Sequence, residues 1–503
     1  MFKFSLKEVG FFLLLLIIAL GGSYFLTMRY FSLDPDSANS PLVWRAFLTE
    51  GFSAFKDWAP TPDNWYFTTY PVNFLFFALM GSDGIHPLVL STSAFVGVSA
   101  FILASVVYTM SKAWHALLAA ICLILLPAYV YTFGFAAHPF SHYSTNFFGV
   151  LVFALAFFNI QKKSQPVLWL TTFIAFFASI SDPWFLATYF LPLLLTCGYF
   201  SWRRLLPKKF SIVLGVSFII SMSHALQRLM GLPIQRFKLM PVAQWPDNAA
   251  WVVQLLGKSL NLFFVHTPLA YIASFVIWMA LFLCAVIICL RKGTEAIFVS
   301  LFSFFTVSGI ISSFIISYDF PADISARFFV SAVCFAIVMV VLAFSFTKKA
   351  VVALVFPLYI ASSLYSYQVT TKPLYDQENQ TYDYISFLKK NNLTFGYGDY
   401  WKLSNNVNWL SFGEIHISPV MFDKVDFHIQ FDSTRSQTLR SWLTDAYVQT
   451  SPERQFVAIP AVETETAPHP RLEAVRAQLG KPDETLVYAD MTIFVYHHRI
   501  PLR

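Results

Sequence analysis

The chain has 503 residues, of which 57% are hydrophobic and only 12% charged, and its mean hydropathy is +0.59. Soluble globular proteins carry about a quarter charged residues, so this composition excludes an ordinary soluble protein and indicates one embedded in a membrane. The net charge of +6 is small, and the sequence contains no P-loop, dinucleotide fingerprint or basic tract with interleaved aromatics. Nucleic acid is therefore not an expected partner.

The apolar segments predict about eleven membrane-spanning helices, because a helix needs about 20 apolar residues to cross the hydrocarbon core. Lys3 and Lys7 precede the first segment, and no small-residue cleavage site follows it, so we expect an uncleaved first span. The predicted spans are 11–27, 87–110, 116–131, 145–160, 167–180, 183–202, 210–222, 270–290, 296–318, 328–346 and 351–365.

Basic residues are concentrated in alternate short loops, whereas the opposite short turns, GFAAHPFSHYS and ISDPW, hold none. Positive charge marks the cytoplasmic side, so this asymmetry predicts a cytoplasmic N-terminus and, with an odd number of spans, an extracytoplasmic C-terminal segment. The basic residues on the predicted inner side are Lys3, Lys7, Lys112, Lys162, Lys163, Arg203, Arg204, Lys208, Lys209, Arg291, Lys292, Lys348 and Lys349.

The composition changes after residue 365. Strand-like runs (FGYGDYW, QFVAIPAV, TLVYADMTIFVYHH) alternate there with helix-like runs (TYDYISFLKK, PRLEAVRAQL). We therefore predict an all-α polytopic membrane domain at 1–365 and a small α/β extracytoplasmic domain at 366–503. Two long outer loops, at about 28–85 and 223–268, contain Trp-bearing amphipathic stretches that suit helices lying in the membrane interface.

Polar groups that suggest chemistry fall on the predicted outer side. Ionisable residues near a bilayer are costly, so their clustering indicates a functional site. These residues are Asp34, Asp36, His138, His142, Asp182, Asp319, Asp323 and Arg327.

Simpler structural roles are open to most of these residues. Asp34 and Asp36 are suited to capping the helix that starts there, and Asp182 forms a turn-and-cap pair with the next proline. His138 and His142 have the spacing of metal ligands on one helix face, but the proline between them favours polar packing. Arg327, in contrast, opens an outer-side span against the positive-inside trend, which favours a specific anionic partner.

These side chains suit one reaction. A carboxylate takes a proton from an acceptor hydroxyl, a guanidinium binds a phosphate in bidentate fashion, and interfacial helices form a groove for a lipid tail. Together they predict glycosyl transfer from a lipid-phosphate sugar outside the cytoplasm, where no nucleotide sugar is present.

The sequence resembles the GT-C membrane glycosyltransferases, the superfamily of protein O-mannosyltransferases and lipid A aminoarabinose transferases. Their first outer loop carries an acidic motif, an amphipathic helix and a tyrosine-proline stretch, and PDSANSPLVWRAFLTEG and YFTTYPVNFLFFALMG follow this layout. Arg327-Phe328 matches a later Arg-Tyr-type motif, and YGDYWKLSNNVNWLSFGEI is similar to segments of bacterial members.

The resemblance implies a role for each residue. Asp36 takes the place of the catalytic aspartate, with Asp34 supporting it by charge repulsion or by capping. Ser37 replaces the family's second acid, which leaves open whether a divalent metal is held there. We expect Arg327 to bind the donor phosphate, with Arg236 and Lys238 as the next candidates. The residues expected in an acceptor site or pocket are His138, His142, Asp182, Asp319 and Asp323.

The implied function is inverting transfer of a hexosyl or pentosyl group from a polyprenyl-phosphate donor to a glycan, lipid or protein acceptor of the cell envelope, such as lipopolysaccharide, at a bacterial inner membrane. A transporter or flippase is the alternative, but it would favour inverted repeats and mid-membrane charges. An O-antigen polymerase or ligase, and a receptor whose outer domain only binds a partner, also stay open. The sequence names neither the sugar nor the acceptor.

Overall fold

A computed structural model describes residues 5–136, 142–235, 237–347, 350–370, 374–463 and 469–502. The chain folds into two compact units. Unit 1 consists of Met1–Phe31, Pro62–Val72 and Val89–Thr371, and unit 2 of Ser32–Thr61, Asn73–Leu88 and Lys372–Arg503.

The α-helices, in chain order, are α1 Leu6–Tyr30, α2 Asn39–Glu50, α3 Ala54–Asp57, α4 Thr69–Met80, α5 Ile85–Met110, α6 Ala113–Ile124, α7 Ala128–Tyr131, α8 Tyr143–Asn159, α9 Gln165–Ser181, α10 Leu191–Trp202, α11 Lys208–Met222, α12 Ala225–Leu229, α13 Trp245–Ser259, α14 Pro268–Leu290, α15 Thr294–Ser317, α16 Val330–Thr347, α17 Ala350–Val369, α18 Leu374–Lys390, α19 Asn405–Leu410, α20 Asp445–Thr450 and α21 Pro470–Leu479. The strands are β1 Trp58–Ala59, β2 Phe395–Asp399, β3 His416–Phe422, β4 Ile429–Gln430, β5 Thr438–Leu439, β6 Gln455–Ile459, β7 Glu484–Tyr488 and β8 Met491–Tyr496. Short 3-10 turns at Pro35–Ala38 and Asp323–Phe329 and π turns at Thr132–Ala136, Leu186–Phe190 and Tyr400–Ser404 complete the elements that matter below.

Every predicted span overlaps helical structure, but the span 116–131 is interrupted between α6 and α7, and the span 183–202 combines a π turn with α10. Not all of these helices are long. Within the described residues, five helical segments are long and apolar enough to cross a membrane, and a sixth results if α6 and Ala128–Ala136 count as one span despite a 70° bend. The 17-residue helices α8 and α9 extend only about 25 Å, less than a hydrocarbon core of about 30 Å. The count of eleven spans therefore stays a prediction.

Helix α16 lies at the centre of unit 1. Nearly all of its residues from Val330 to Ala343 are buried, as expected of a helix that is apolar on every face. Phe335 on this helix packs against Phe153 of α8 and Phe302 of α15, with ring centroids 5.1 and 5.3 Å away. The 3-10 turn Asp323–Phe329 leads directly into this enclosed helix, so its side chains start from a rigid support.

Unit 2 is built on a six-stranded sheet with the order β4-β3-β2-β6-β8-β7. Strand β2 pairs in parallel with β3 and β6, and β8 pairs antiparallel with β6 and β7. The buried side chains of Phe395, Val457 and Phe494 form its core together with Leu472 and Val475 of α21. This is the small α/β domain that the C-terminal sequence predicts.

Unit 2 also contains parts of the first predicted outer loop, which the sequence assigned to the membrane domain. Strand β1 pairs with β5 across Trp58 and Leu439. Arg45 of α2 donates to the carbonyl oxygen of Trp409 at 2.8 Å and forms an ion pair with Asp83. Residues 32–61 and 73–88 therefore pack with the C-terminal segment, an association between distant stretches that no local sequence pattern reveals.

Candidate active site

Asp34 and Asp36 lie in the 3-10 turn that follows α1, and they have different surroundings. Asp34 caps this turn, because its Oδ1 accepts the backbone N–H of Asp36 at 3.1 Å. Pro35 fixes the first position of the turn, and the Ser37 hydroxyl donates to the carbonyl oxygen of Ser32 at 2.7 Å. The cap is thus Asp34, and Asp36 lies inside the turn with its backbone held from both sides.

The carboxylate of Asp36 contacts a tyrosine of the C-terminal segment. The hydroxyl of Tyr400 lies 2.6 Å from Asp36 Oδ1 and 2.8 Å from Gln437 Oε1. The guanidinium carbon of Arg435 lies 4.3 Å from the centre of the Tyr400 ring. The sequence singled out the segment around Tyr400 by resemblance alone and gave no role to these three residues. Their distance along the chain from Asp36 left no local signal.

The turn Tyr400–Ser404 sets the position of this tyrosine. Asp399, at the end of β2, accepts the N–H of Trp401 at 2.8 Å, and the Ser404 hydroxyl donates to the Asp399 carbonyl oxygen at 2.8 Å. Leu403 has φ +67°, a left-handed conformation that residues with a Cβ rarely adopt. The side chain of Asn406 then donates to the carbonyl oxygen of Leu33. Strand, turn and α19 are thereby fixed to the backbone that precedes Asp36.

The environment of Tyr400 keeps its phenol protonated. The side chain is 2% exposed. Burial, followed by the charge of Asp36 and the hydrogen bond to it, raises the pKa of Tyr400 well above its usual value. At neutral pH Tyr400 therefore keeps its phenol proton and can donate it in a hydrogen bond.

A second group of predicted residues meets in unit 1. His142 Nδ1 and the Thr145 hydroxyl both contact Oδ2 of Asp182, and the N–H of Trp184 donates to Asp182 Oδ1 at 3.0 Å. Asp182 is fully buried, so it supports His142 rather than presenting its own carboxylate to a ligand. His142 precedes α8 with φ +58°. The predicted pair with His138 falls outside the described residues.

Arg327 lies beside this group, in the turn before α16. Its guanidinium carbon is 5.0 Å from the centre of the Phe328 ring, and that ring stacks on Trp184 at 4.2 Å. The same phenylalanine lies 4.8 Å from the His142 ring. Arg327 Nε is buried and has no hydrogen-bond partner among the described residues. The structure therefore brings three predicted site residues, Arg327, His142 and Asp182, around one aromatic cluster.

Lys238 and Asp319 line a mostly apolar cavity of about 520 Å³ in unit 1, together with Trp184 and Phe218. Asp319 also borders a second cavity of about 810 Å³. Asp323 is engaged elsewhere, since Lys258 Nζ lies 3.2 Å from its Oδ1. Arg236 falls outside the described residues. A basic residue and an apolar cavity wall are thus found next to the tryptophan that contacts Phe328.

The residues described here do not fit a metal site. Among them, no three His, Cys, Asp or Glu side chains converge as ligands of one ion. Beside Asp36, the carboxylate of Asp34 caps the turn, and the hydroxyl of Ser37 is committed to the Ser32 carbonyl.

Comparison with known proteins identifies the fold. No protein-family model matches the sequence, and no curated protein sequence matches it. The structure of ArnT from Cupriavidus metallidurans bound to undecaprenyl phosphate is similar, with a TM-score of 0.51 and 11% identity over 97% of this chain and 98% of that chain. The archaeal oligosaccharyltransferase AglB from Archaeoglobus fulgidus, in complex with an inhibitory peptide and a dolichol-phosphate, has a TM-score of 0.50 and 12% identity over 90% of this chain and 70% of that chain.

Both similar proteins belong to the GT-C superfamily of membrane glycosyltransferases. The chain therefore has the GT-C fold that the sequence resemblance implied, with a polytopic helical domain and a small α/β C-terminal domain. It is an integral membrane protein. At 11–12% identity the likeness defines the fold, and the activity has to be argued from the residues.

Proposed function

We propose that this protein is an inverting glycosyltransferase that moves a hexosyl or pentosyl group from a polyprenyl-phosphate donor to an extracytoplasmic acceptor. The observation that carries the proposal is the carboxylate of Asp36, held in a capped turn directly after the first helix of a GT-C fold. The two similar structures contain dolichol-phosphate and undecaprenyl phosphate, which supports a lipid-phosphate donor. The acceptor is a glycan, lipid or protein of the cell envelope.

The proposed reaction consists of one proton transfer and one substitution at the anomeric carbon of the sugar. Asp36 accepts the proton of the acceptor hydroxyl, and the hydroxyl oxygen forms a bond to the anomeric carbon. The bond from that carbon to the phosphate oxygen breaks, and its electron pair leaves with the polyprenyl phosphate. Attack from the face opposite the phosphate inverts the anomeric configuration. Asp36 then returns its proton to water.

Arg327 is our candidate for binding the phosphate of the donor. A guanidinium presents two parallel N–H groups to phosphate oxygens, and it stabilises the charge that develops as the phosphate leaves. The buried Nε of Arg327, with no partner in the described part of the chain, supports this role. The apolar cavity lined by Lys238 and Phe218 suits part of a polyprenyl chain.

We also propose that the reaction takes place outside the cytoplasm of a bacterial cell, at the inner membrane. The support is the absence of Lys and Arg from the two short turns opposite the thirteen basic residues.

The test is transfer of sugar from a defined polyprenyl-phosphate donor by purified protein in lipid nanodiscs. Asp36→Asn is nearly isosteric and removes only the base, so we expect turnover to fall about 10²–10⁴-fold. Asp34→Asn should cost far less, because asparagine caps a turn about as well as aspartate. Asp432→Asn, at an exposed position of unit 2, is the matched control.

Melting temperatures and donor binding are measured in parallel. Near-normal turnover in Asp36→Asn, or a loss matched by the Asp432→Asn control, would show that Asp36 has only a structural role. Donor binding without sugar transfer by the wild-type protein would favour the transporter class instead.

A further inference from the structure

We propose that Tyr400 is a positioning residue, which orients the Asp36 carboxylate through a direct hydrogen bond. This inference rests on the proposed function, since it assigns Tyr400 to the reaction through Asp36. The two residues are 364 positions apart in the chain, and both belong to unit 2. The C-terminal domain would then complete the catalytic group rather than serve only to bind partners.

The groups around the Tyr400 oxygen determine which of them donates the hydrogen bond. A phenol has one proton, and two acceptor oxygens lie near it, Asp36 Oδ1 at 2.6 Å and Gln437 Oε1 at 2.8 Å. The charged acceptor forms the stronger bond and takes the proton. Oxygen and nitrogen of a glutamine amide exchange places on a 180° rotation, so Gln437 can donate its N–H to the Tyr400 oxygen. With the amide rotated in this way, Gln437 donates to Tyr400; in the orientation recorded, its Oε1 lies 2.8 Å from the Tyr400 oxygen. The bond from Tyr400 to Asp36 has the same direction in both orientations.

The tyrosine is held on its ring as well as on its oxygen. Arg435 lies over the face of the ring at 4.3 Å, a cation–π arrangement that favours one ring orientation. The backbone of Gln437 is held in place, because its main-chain carbonyl oxygen accepts the side-chain N–H of Asn405 at 3.0 Å. The Tyr400 hydroxyl is therefore presented to Asp36 in one defined position.

Fixing one carboxylate oxygen has a consequence for the other. When Oδ1 is bound to Tyr400, rotation of the Asp36 carboxylate is restricted, and the place of Oδ2 is set as well. Effective proton transfer and attack depend on holding the reacting groups close to their productive geometry, and small displacements reduce the rate strongly. A hydrogen bond to the charged form also keeps the carboxylate ionised at lower pH.

The variant Tyr400→Phe removes one oxygen atom and keeps the ring. We expect kcat to fall about 10- to 100-fold while KM for the donor changes little, because the donor phosphate is assigned to Arg327 and not to Tyr400. We also expect the acid limb of the pH–rate profile to move up by about one pH unit, since the carboxylate loses a hydrogen bond to its charged form.

Tyr397→Phe is the matched control. Tyr397 is also fully buried in unit 2, three residues before Tyr400, and its hydroxyl has no hydrogen-bond partner among the described residues. Its replacement should leave kcat and the pH profile unchanged. A structural role for Tyr400 would lower the melting temperature without moving the acid limb.

The double variant Asp36→Asn/Tyr400→Phe tests whether the two residues act together. We expect it to be no slower than Asp36→Asn alone. Once the carboxylate base has been removed, loss of the residue that orients it has no further effect. Independent, multiplicative losses would overturn the proposal, and so would a wild-type rate and acid limb in Tyr400→Phe. Near-normal turnover in Asp36→Asn would instead refute the proposed function.

A second variant covers the case in which Tyr400→Phe does not fold. Gln437→Leu keeps the phenol but removes the group that holds its oxygen from the other side. We expect a smaller shift of the acid limb in the same direction. An unshifted limb in this variant would overturn the proposal as well.

Discussion

At the scale of single residues, two aspartates two positions apart have separate tasks. Asp34 Oδ1 accepts the backbone N–H of Asp36, and Asp36 Oδ1 accepts the hydroxyl of Tyr400. The sequence allowed either residue to be the cap, because both are aspartates and both precede a helical stretch. The choice depends on the turn Pro35–Ala38: Asp34 directly precedes its first residue and caps it, whereas Asp36 lies within it.

Arg327 allows a prediction that separates charge from geometry. Arg327→Lys keeps the positive charge but loses the planar fork, so we expect KM for the polyprenyl-phosphate donor to rise about tenfold, with a larger rise in Arg327→Ala. Donor titration of each purified variant measures this. Arg291→Lys, in a predicted inner loop, is the control. Unchanged donor affinity in Arg327→Ala would transfer the phosphate role to Lys238 or Arg236.

At the scale of elements, the sequence predicted what depends on local pattern. Each apolar run forms helical structure, although the run 116–131 breaks between α6 and α7. FGYGDYW and QFVAIPAV contain β2 and β6, and TLVYADMTIFVYHH covers all but the first residue of the β7–β8 hairpin. Strand β3 was missed, because its central Pro419 argues against a strand in the middle of a sheet. Strands β1 and β5 have two residues each and are defined by their mutual pairing, so no sequence pattern predicts them.

The sheet of unit 2 carries a pH-sensitive residue. His416 at the start of β3 is half-buried and packs against Phe395, Trp442 and Tyr447, with ring centroids 4.7–5.3 Å from its own. Burial lowers the pKa of His416 to about 3, whereas an unfolded histidine has a pKa of about 6.5. The unfolded chain therefore binds a proton below pH 6.5 that the folded unit rejects, and stability is lost as the pH falls from about 6.5 toward 3.

We expect this to be measurable as a stability change between pH 7 and pH 5. The loss from one histidine is at most about 1.4 kcal/mol for each pH unit below 6.5. Hydrogen exchange of β2 and β3 should quicken at pH 5, and His416→Gln should reduce that pH dependence. Equal pH dependence in the wild type and in His416→Gln would show that other groups are responsible. His428→Gln, at an exposed position of the same unit, is the control.

At the scale of the whole molecule, the fold class was predictable, whereas the contacts around the candidate residues were not. Hydropathy and loop charge are local properties, and they indicated a polytopic membrane protein with a separate α/β part. The partner of Asp36 was not predictable, because Tyr400 reaches it through the strand order β3-β2-β6 and a turn with a left-handed leucine. No local pattern in a single stretch of the sequence predicts such a contact.

The orientation in the membrane is the prediction that concerns the molecule as a whole. A phosphatase fused after Arg503 should be active in cells, because the C-terminal segment is expected outside the cytoplasm, and a cytoplasmic reporter at the same position should be silent. Fusions after Lys163, in a predicted inner loop, should give the opposite result. A silent phosphatase at Arg503 would overturn the odd span count and the side assigned to the reaction.

Unit 2 is assembled from three stretches of chain, and this has a consequence in time. Its second stretch ends at Leu88 and its third begins at Lys372. At about 5–20 residues per second, a ribosome needs roughly 15–60 s to make what lies between. Asp36 is therefore synthesised well before Tyr400, and the contact between them forms only after the ribosome has passed residue 400. A chain that stops before residue 400 contains Asp36 without the tyrosine that contacts it.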